Sequence, residues 1–299
     1  MHEVAIVSGK GGTGKTSVVA SLALLADGAV VADCDVEAAD LDLILTATVR
    51  RRERFIGGHL AVISRERCIG CGECVDYCRF AAVRMNGAAH GAVPYRIDPM
   101  ACEGCGTCVR LCPAEAIDFV ERYAGDWFVS DTRAGPLVHG RLRAAQGNSG
   151  KLVATVRAEA KRIAADQGRP LVIVDGPPGI GCPVIASITG TSLVLVVTEP
   201  TPSGEHDLER VLGLARHFEI PTAVCVNKWD LNPSRTERIE RRAMDLDAAV
   251  AGRIRYDETV TRAQLAATAV VEADGDAAED IRALWGNLRD IGAAHGVAL

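Results

Sequence analysis

Eight of the eleven cysteines in this chain fall into two runs that share one spacing, C-x-x-C-x-x-C-x-x-x-C. The first run comprises Cys68, Cys71, Cys74 and Cys78, and the second comprises Cys102, Cys105, Cys108 and Cys112. This spacing is typical of bacterial proteins that hold two 4Fe–4S clusters, in which the fourth cysteine of each run ligates the other cluster. A zinc ribbon, which uses two C-x-x-C pairs, and disulfides are the alternatives.

We therefore predict two 4Fe–4S clusters with exchanged fourth ligands. One would be held by the first set of cysteines, defined as Cys68, Cys71, Cys74 and Cys112. The other would be held by the second set, defined as Cys102, Cys105, Cys108 and Cys78. Similar tails at 80–83 and 114–117 make the region an internal repeat, although Arg79 follows the first run where Pro113 follows the second.

A glycine-rich segment at residues 9–16 fits the phosphate-binding loop pattern G-x-x-x-x-G-K-[ST]. An apolar stretch at 4–7 precedes it and a helical stretch at 17–25 follows it, as this loop requires. Backbone N–H groups of the turn would hold phosphates, Lys15 would reach the β- and γ-phosphates, and Thr16 would hold Mg²⁺. The expected nucleotide contacts here are Gly9, Lys10, Gly11, Gly12, Thr13, Gly14, Lys15, Thr16 and Ser17.

Near-continuous apolar runs recur on both sides of the cysteine region, at 29–33, 171–175, 193–198 and 222–227. Such runs, separated by helical segments, predict an α/β fold with a doubly wound and mostly parallel sheet. We predict a P-loop domain formed by residues 1–61 and 121–299. Residues 62–120 would form an inserted α+β module like a bacterial ferredoxin.

The net charge of −6 argues against a nucleic acid partner, and the Arg-rich stretch at 50–54 is interpreted as a solvated edge. The first strand and the phosphate loop leave no room for a secretory leader, and no apolar run approaches the roughly 20 residues that span a bilayer. A cytoplasmic protein whose thiolates are held by metal is therefore expected.

The lysine directly after Gly9 makes the phosphate loop resemble the deviant loop of the MinD/ParA and nitrogenase iron-protein group. This resemblance implies that Lys10 crosses a dimer interface and stabilises the partner's transferring phosphoryl group, as an arginine finger does. Segment 33–38 resembles switch I, which implies that Asp35 orients the attacking water and that Asp33 supports the magnesium site. Segment 175–179 resembles switch II, which implies a Mg²⁺ role for Asp175 and a γ-phosphate contact for Gly179.

The segment Asn227-Lys228-Trp229-Asp230 has the N-K-x-D pattern by which GTPases read guanine through the aspartate. MinD-like ATPases place an adenine-contacting asparagine after the same strand. The resemblance therefore favours ATP with Asn227 at the base, while GTP with Asp230 at the base stays open.

The whole chain is similar to the ferredoxin-containing branch of the MinD/ParA ATPases, to which the ATPases of the orange-protein complex belong. Segments 10–16, 33–42, 148–153 and 175–187 carry this resemblance together with the cysteine runs. It implies a nucleotide-dependent homodimer, or a heterodimer with a paralogous ATPase, and a redox or metallocluster-accepting partner. ATP hydrolysis would be coupled to electron transfer or to metallocluster assembly or transfer. The alternative is a spatial-organising ATPase whose clusters are structural or sensory.

Two further features have open interpretations. Cys182, in the switch II region, is either a packing residue or, paired with its copy in a dimer, a ligand for a transient metal or cluster. A C-terminal apolar helix face would bind a membrane or pack on the core, and its few basic residues favour the core. That face comprises Ile281, Leu284, Trp285, Leu288 and Ile291.

Overall fold

The computed structural model describes residues 1–86, 94–143 and 147–299. The chain divides into two compact units. Unit 1 comprises Met1–Glu53, Trp127–Arg141 and Ser149–Leu299, and unit 2 comprises Arg54–Asp126 and Leu142–Asn148.

The strands are β1 (His2–Ser8), β2 (Val30–Asp33), β3 (Thr48–Ile63), β4 (Val83–Met85), β5 (Tyr95–Ile97), β6 (Ile117–Thr132), β7 (Gly135–Leu142), β8 (Leu171–Pro178), β9 (Leu193–Thr198), β10 (Thr222–Asn227) and β11 (Ala249–Ile254). The helices are α1 (Lys15–Leu25), α2 (Leu41–Ile44), α3 (Glu73–Asp76), α4 (Thr107–Arg110), α5 (Ser149–Asp166), α6 (Cys182–Ile188), α7 (Pro202–His217), α8 (Pro233–Asp245), α9 (Glu258–Leu265) and α10 (Asp276–Ala294).

Within the described residues, nine strands form one sheet in the order β11-β10-β9-β1-β8-β2-β7-β6-β3. The strands from β11 to β7 pair in parallel, so their carboxyl ends share one edge. The register places Asp33 of β2 directly beside Asp175 of β8. This α/β architecture, with a large and mostly parallel sheet, confirms the predicted fold class.

Helices cover both faces of the sheet. Alternate strand residues such as Ile6 and Ile173 pack with Leu22 of α1 and Leu284 of α10 in one buried cluster. The intervening strand residues point the other way, and helices α5, α6, α7 and α8 contact the strands there. The apolar face of α10 therefore packs on the core, with Ile281, Leu284 and Leu288 buried and Trp285 and Ile291 packed against the same cluster. No helix in the described part of the chain has the length and apolar character that spanning a membrane needs.

The Arg-rich stretch begins β3, which forms one edge of the sheet. Arg50 pairs with Asp131 at 2.5 Å, and Arg51 pairs with Glu159. The guanidinium of Arg51 also lies 4.9 Å from the ring centroid of Trp127. Charged side chains on an edge strand oppose pairing with another chain, which agrees with the interpretation of a solvated edge.

Unit 2 contains a backbone repeat that matches the sequence repeat. Helices α3 and α4 each follow a glycine with positive φ, Gly72 at 87° and Gly106 at 73°. The fourth cysteine of each run accepts the same bond, from the Ala82 amide to Cys78 Sγ and from the Ala116 amide to Cys112 Sγ, both at 3.3 Å. The two cysteine runs thus fold into two equivalent loops.

A buried ion pair ties helix α5 to strand β1. Arg157 donates from Nε to Glu3 Oε1 at 2.8 Å and from Nη2 to Glu3 Oε2 at 2.6 Å. The two side chains are 8% and 4% exposed. Neither charge is solvated by water, so Arg157 depends on the Glu3 carboxylate, which also pairs with Lys161 Nζ at 2.6 Å.

We predict that Glu3→Leu lowers the free energy of unfolding by about 3–5 kcal/mol, because Arg157 would remain buried without a carboxylate. Urea unfolding followed by circular dichroism measures the change. Arg162→Ala is the control, since Arg162 lies on the same helix in an exposed pair with Glu159 and should cost about 0–1 kcal/mol. Adding Arg157→Leu to Glu3→Leu should recover part of the loss. Equal losses for Glu3→Leu and Arg162→Ala would contradict the prediction.

Candidate functional site

An open cleft of about 360 Å³ lies at the carboxyl edge of the parallel sheet in unit 1. The phosphate loop follows β1 and leads into α1, so its glycines form one wall of the cleft. The cleft is lined by Ser8, Gly11, Gly12, Thr13, Gly14, Lys15, Thr16, Ser17, Asp35, Asp40, Pro178, Asn227, Lys228, Arg255, Tyr256, Asp257, Val260, Thr261 and Gln264. Ligands in parallel α/β sheets bind at this edge.

Asn227 holds the phosphate loop in shape. Its Nδ2 donates to the Thr13 carbonyl oxygen at 2.7 Å. Gly14 has a φ of +84°, and a Cβ added there would collide with the Asn227 amide nitrogen. Glycine at position 14 is therefore required both by the backbone conformation and by the close approach of Asn227.

Three carboxylates surround one ammonium group below the loop. Lys15 Nζ forms an ion pair with Asp175 and lies 3.8 Å from Asp35 Oδ2. Asp33 accepts hydrogen bonds from the amides of Asp35 at 3.1 Å and Leu41 at 3.3 Å, which hold the start of the switch I segment. Asp175 Oδ2 is buried and has no hydrogen-bond partner.

Burial is the main cause of the raised pKa values of Asp33 and Asp35, and the neighbouring Asp175 adds to both shifts. Burial, reinforced by the charge of Asp175, raises the pKa of Asp33 well above its ordinary value. Burial raises the pKa of Asp35 to about 6, although Lys15 opposes the shift. Burial alone would lower the pKa of Lys15, but the charge and hydrogen bond of Asp175 raise it.

The donor atoms of this site fit a magnesium ion. Mg²⁺ is bound in proteins through carboxylate oxygens together with water and substrate phosphates. Asp175 offers a buried oxygen without a partner, and Thr16 lines the cleft with its hydroxyl. One ammonium beside three carboxylates leaves negative charge that a divalent cation would neutralise.

Lys10 contacts its own chain on the far side of the loop. Its Nζ pairs with Glu199 and lies 3.1 Å from Ser203 Oγ. Lys228 Nζ lies 3.3 Å from the other Glu199 oxygen and 3.3 Å from the Gly12 carbonyl oxygen. Burial favours the neutral acid of Glu199, but the two lysines hold its pKa below the ordinary value. Glu199 is not among the site residues predicted from the sequence, although its position directly after strand β9 is a signal for it.

Four predicted nucleotide contacts lie outside the cleft lining, namely Lys10, described above, and Gly9, Gly179 and Asp230. The Gly179 amide donates to the Ser8 carbonyl oxygen at 2.8 Å, and a Cβ on Gly9 would meet Asp207. Asp230 is exposed, and its Oδ1 accepts from the Tyr256 amide at 2.7 Å. The segment after β11 lines the cleft instead, where Gln264 Nε2 donates to Ser17 Oγ at 2.8 Å. Its place after a parallel strand was the one signal for it.

In unit 2 the cysteines group as two sets of four. A cavity is lined by the first set, Cys68, Cys71, Cys74 and Cys112, together with Glu73, Tyr95 and neighbouring apolar residues. Burial raises the pKa of Cys74, and the other three thiols of its set add to the shift. Burial is the main cause that raises the pKa of Cys108 to about 11. The next largest contributions come from the thiols of the second set, Cys102, Cys105 and Cys78.

Four cysteine thiols, as in each set, are the ligand set of a 4Fe–4S cluster. In the described residues, no three His, Cys, Asp or Glu side chains converge closely enough to hold one metal ion. Four thiolates on a 4Fe–4S cluster each bind a different iron, so they surround a larger centre. Cys105 differs from the rest, because hydrogen bonds from the Thr107 hydroxyl and amide lower its pKa.

The remaining cysteines lie apart from these sets. Cys34 and Cys225 are fully buried in strand-like surroundings, as expected for small apolar residues. Cys182 is exposed at the start of α6. A Cβ added to Gly150 would lie 3.5 Å from the Cys182 Cβ.

The family model of a 4Fe–4S dicluster domain matches residues 67–116 of the chain. The fold resembles the cell division ATPase MinD of Pyrococcus furiosus, with a TM-score of 0.55 and 15% identity over 97% of this chain and 99% of that one. MinD of Aquifex aeolicus gives a TM-score of 0.56 at 18% identity, covering 97% of both chains. The molecule is thus a P-loop protein of MinD/ParA fold that contains a 4Fe–4S dicluster domain.

A relative in Methanocaldococcus jannaschii, the uncharacterized protein MJ0578, is 34% identical over 234 residues, which are 77% of this chain and 79% of that protein. The chain belongs to the same family as MJ0578. A second protein of that organism, uncharacterized MJ0579, is 27% identical over 116 residues, covering 39% of this chain and 42% of that one.

We predict that Cys112→Ala disturbs the same cluster as Cys71→Ala, whereas Cys78→Ala disturbs the same cluster as Cys105→Ala. The reason is that Cys112 lines the cavity of the first set although it belongs to the second run. Anaerobically reconstituted wild-type protein should carry about eight irons per chain. Iron analysis and low-temperature EPR of the reduced variants identify which signal is lost. Matching signals for Cys112→Ala and Cys105→Ala would show ligation within each run.

Proposed function

We propose that this protein is an ATPase that couples ATP hydrolysis to electron transfer or to metallocluster assembly or transfer. The observation that carries the proposal is the combination within one chain. One unit has a phosphate loop beside a buried acidic site, and the other has four thiols that line one cavity and a second, repeated set of four cysteines. Neither a simple ferredoxin nor a simple ATPase requires both.

In the proposed reaction, water attacks the γ-phosphorus of ATP and the bond to the β-phosphate oxygen breaks, giving ADP and phosphate. The loop amides and Lys15 bind the phosphates, which requires Lys15 to exchange its Asp175 partner for the nucleotide. Asp175, Asp33 and Thr16 would hold Mg²⁺, which supplies neutralising charge between the β- and γ-phosphates. Asp35 lines the cleft beside Lys15 and would orient the attacking water.

ATP is favoured over GTP as the nucleotide. Asn227 lines the cleft, whereas Asp230 lies outside its lining and is bonded to the Tyr256 amide. A guanine-reading aspartate would have to face the base directly. The structural relative McdA(D38A) of Cyanothece, at 14% identity, is described as an ATP complex.

Lys10 is proposed to act on the nucleotide of a partner subunit. It would first have to leave Glu199, which holds it against its own chain. The partner would be a second copy or a paralogous ATPase, and M. jannaschii carries two proteins that are similar to this chain. A redox protein or a metallocluster acceptor would complete the pathway, with each 4Fe–4S centre exchanging one electron at a time.

Lys10→Ala is expected to leave nucleotide affinity nearly unchanged, because Lys15 and the loop amides remain, and to reduce the hydrolysis rate by about 10³-fold or more. Asp35→Ala should also be inactive. Mixing the two variants should restore activity, because a mixed dimer contains one site with both Asp35 and the partner's Lys10. Phosphate release measured across mixing ratios tests this, with each variant alone at the same total concentration as the control. No rescue at any ratio would count against a shared site.

Coupling between the two units has its own test. We expect the midpoint potential of at least one cluster to differ between the protein with ADP and the protein with a non-hydrolysable ATP analogue. EPR-monitored redox titration measures it, with Lys15→Ala as the control that should bind neither nucleotide tightly. Identical potentials in all states, together with normal ATPase activity after Cys71→Ala, would favour a spatial-organising ATPase with structural clusters.

A further inference from the structure

The two halves of the cysteine repeat share one backbone but differ in charge beside the sulfurs. Superposing the runs matches Glu73 with Thr107, each between the second and third cysteines of its run. It also matches Asp76 with Arg110, each at the end of a one-turn helix. The first half therefore has two acidic residues where the second has a hydroxyl and a cation.

Both residues of the first pair lie at the cysteine sites. Thr107 Oγ1 is 3.4 Å from Cys105 Sγ. The free thiol donates to this hydroxyl, whereas a metal-bound thiolate has only lone pairs to offer, so the hydrogen bond would then run from the hydroxyl to the sulfur. Glu73 is half-buried and lines the cavity of the first set, where its carboxylate has no proton to donate when ionised.

The number of charges alone does not separate the halves, because Arg79 stands where the second half has Pro113 and Glu115 stands where the first half has Ala81. Each half has an arginine anchored on backbone, with Arg67 bonded to the Glu115 carbonyl oxygen at 2.5 Å and Arg122 to the Cys102 carbonyl oxygen at 2.9 Å. Glu103 follows Cys102 where Ile69 follows Cys68, but it is exposed to screening by water. Arg110 and Asp76 are exposed in the same way, so the difference that remains beside the sulfurs is the one between the Thr107 hydroxyl and Glu73.

We propose that Thr107 and Glu73 set the two clusters at different potentials, so that the electron of the one-electron-reduced protein resides on the cluster of the second set. Potentials of 4Fe–4S centres rise with hydrogen bonds to sulfur and fall with added negative charge. The Thr107 hydroxyl would stabilise the more negative, reduced state, whereas the Glu73 carboxylate would oppose it. This inference rests on the proposed two-cluster site.

The electron count is simple. A low-potential one-electron donor loses one electron, and one cluster passes from the 2+ to the 1+ state. If the electron arrives at the first set, it moves to the second set, which oxidises one cluster and reduces the other without a net change. The second set would then store the electron, whichever set receives it from the donor.

The test is an EPR-monitored potentiometric titration of holoprotein with dithionite. Cys112→Ala and Cys78→Ala assign each signal to its set. Thr107→Val, which removes the hydroxyl at similar size, should lower the potential of the second set. Glu73→Gln should raise that of the first. Each change should shift the equilibrium for electron exchange between the clusters by about tenfold, or about 59 mV. Thr155→Val is the control, because its hydroxyl bonds a helix carbonyl of α5 in the other unit.

The inference is supported if the cluster of the second set is reduced first in the wild type and if the difference between the two midpoint potentials is smaller in both variants. Equal potentials in the wild type, or a gap unchanged in both variants that retain about eight irons, would overturn it. A wild-type chain that assembles no clusters would instead refute the proposed function. Iron analysis of every sample separates these two failures.

Discussion

The ion pair between Lys15 and Asp175 is the contact on which the nucleotide site depends. It joins the first residue of α1 to the end of β8, and so ties the phosphate loop to the strand beside it. Asp33 and Asp35 bring two more carboxylates to the same ammonium, which leaves the pocket too negative to be balanced within the chain. A site with this charge is prepared for a divalent cation and for a ligand that draws Lys15 away.

Glu199 holds two further cations beside the phosphate loop, and one of them, Lys10, is proposed to act at a dimer interface. One half-buried carboxylate accepts both Lys10 and Lys228, and Lys228 also bonds the loop at the Gly12 carbonyl oxygen. Two cations that the nucleotide would attract are therefore held by one internal anion. A bound nucleotide would compete with Glu199 for Lys10 and Lys228. Nucleotide binding in the cleft would therefore release Lys10 for a partner subunit.

Unit 2 separates what a repeat shares from what it varies. The glycines that take positive φ and the amides that bond to sulfur recur in both halves, because cluster-binding loops need that backbone. This backbone conformation does not dictate which side chains lie beside the sulfurs. Thr107 and Glu73 differ at matching positions, so one fold can hold two electronically distinct centres.

The sequence alone determined the features that depend on residues close together in the chain. These features are the phosphate loop between a strand and a helix, the two cysteine runs and the α/β fold class. They can be predicted because short motifs and apolar runs specify them locally. Only the tertiary structure decided which distant residues meet. It joined Lys10 to Glu199, turned Asp230 onto the Tyr256 amide, brought Gln264 to Ser17 and left Cys182 exposed. These contacts depend on strand order and helix packing, which place residues far apart in the chain within bonding distance and leave no local pattern in the sequence.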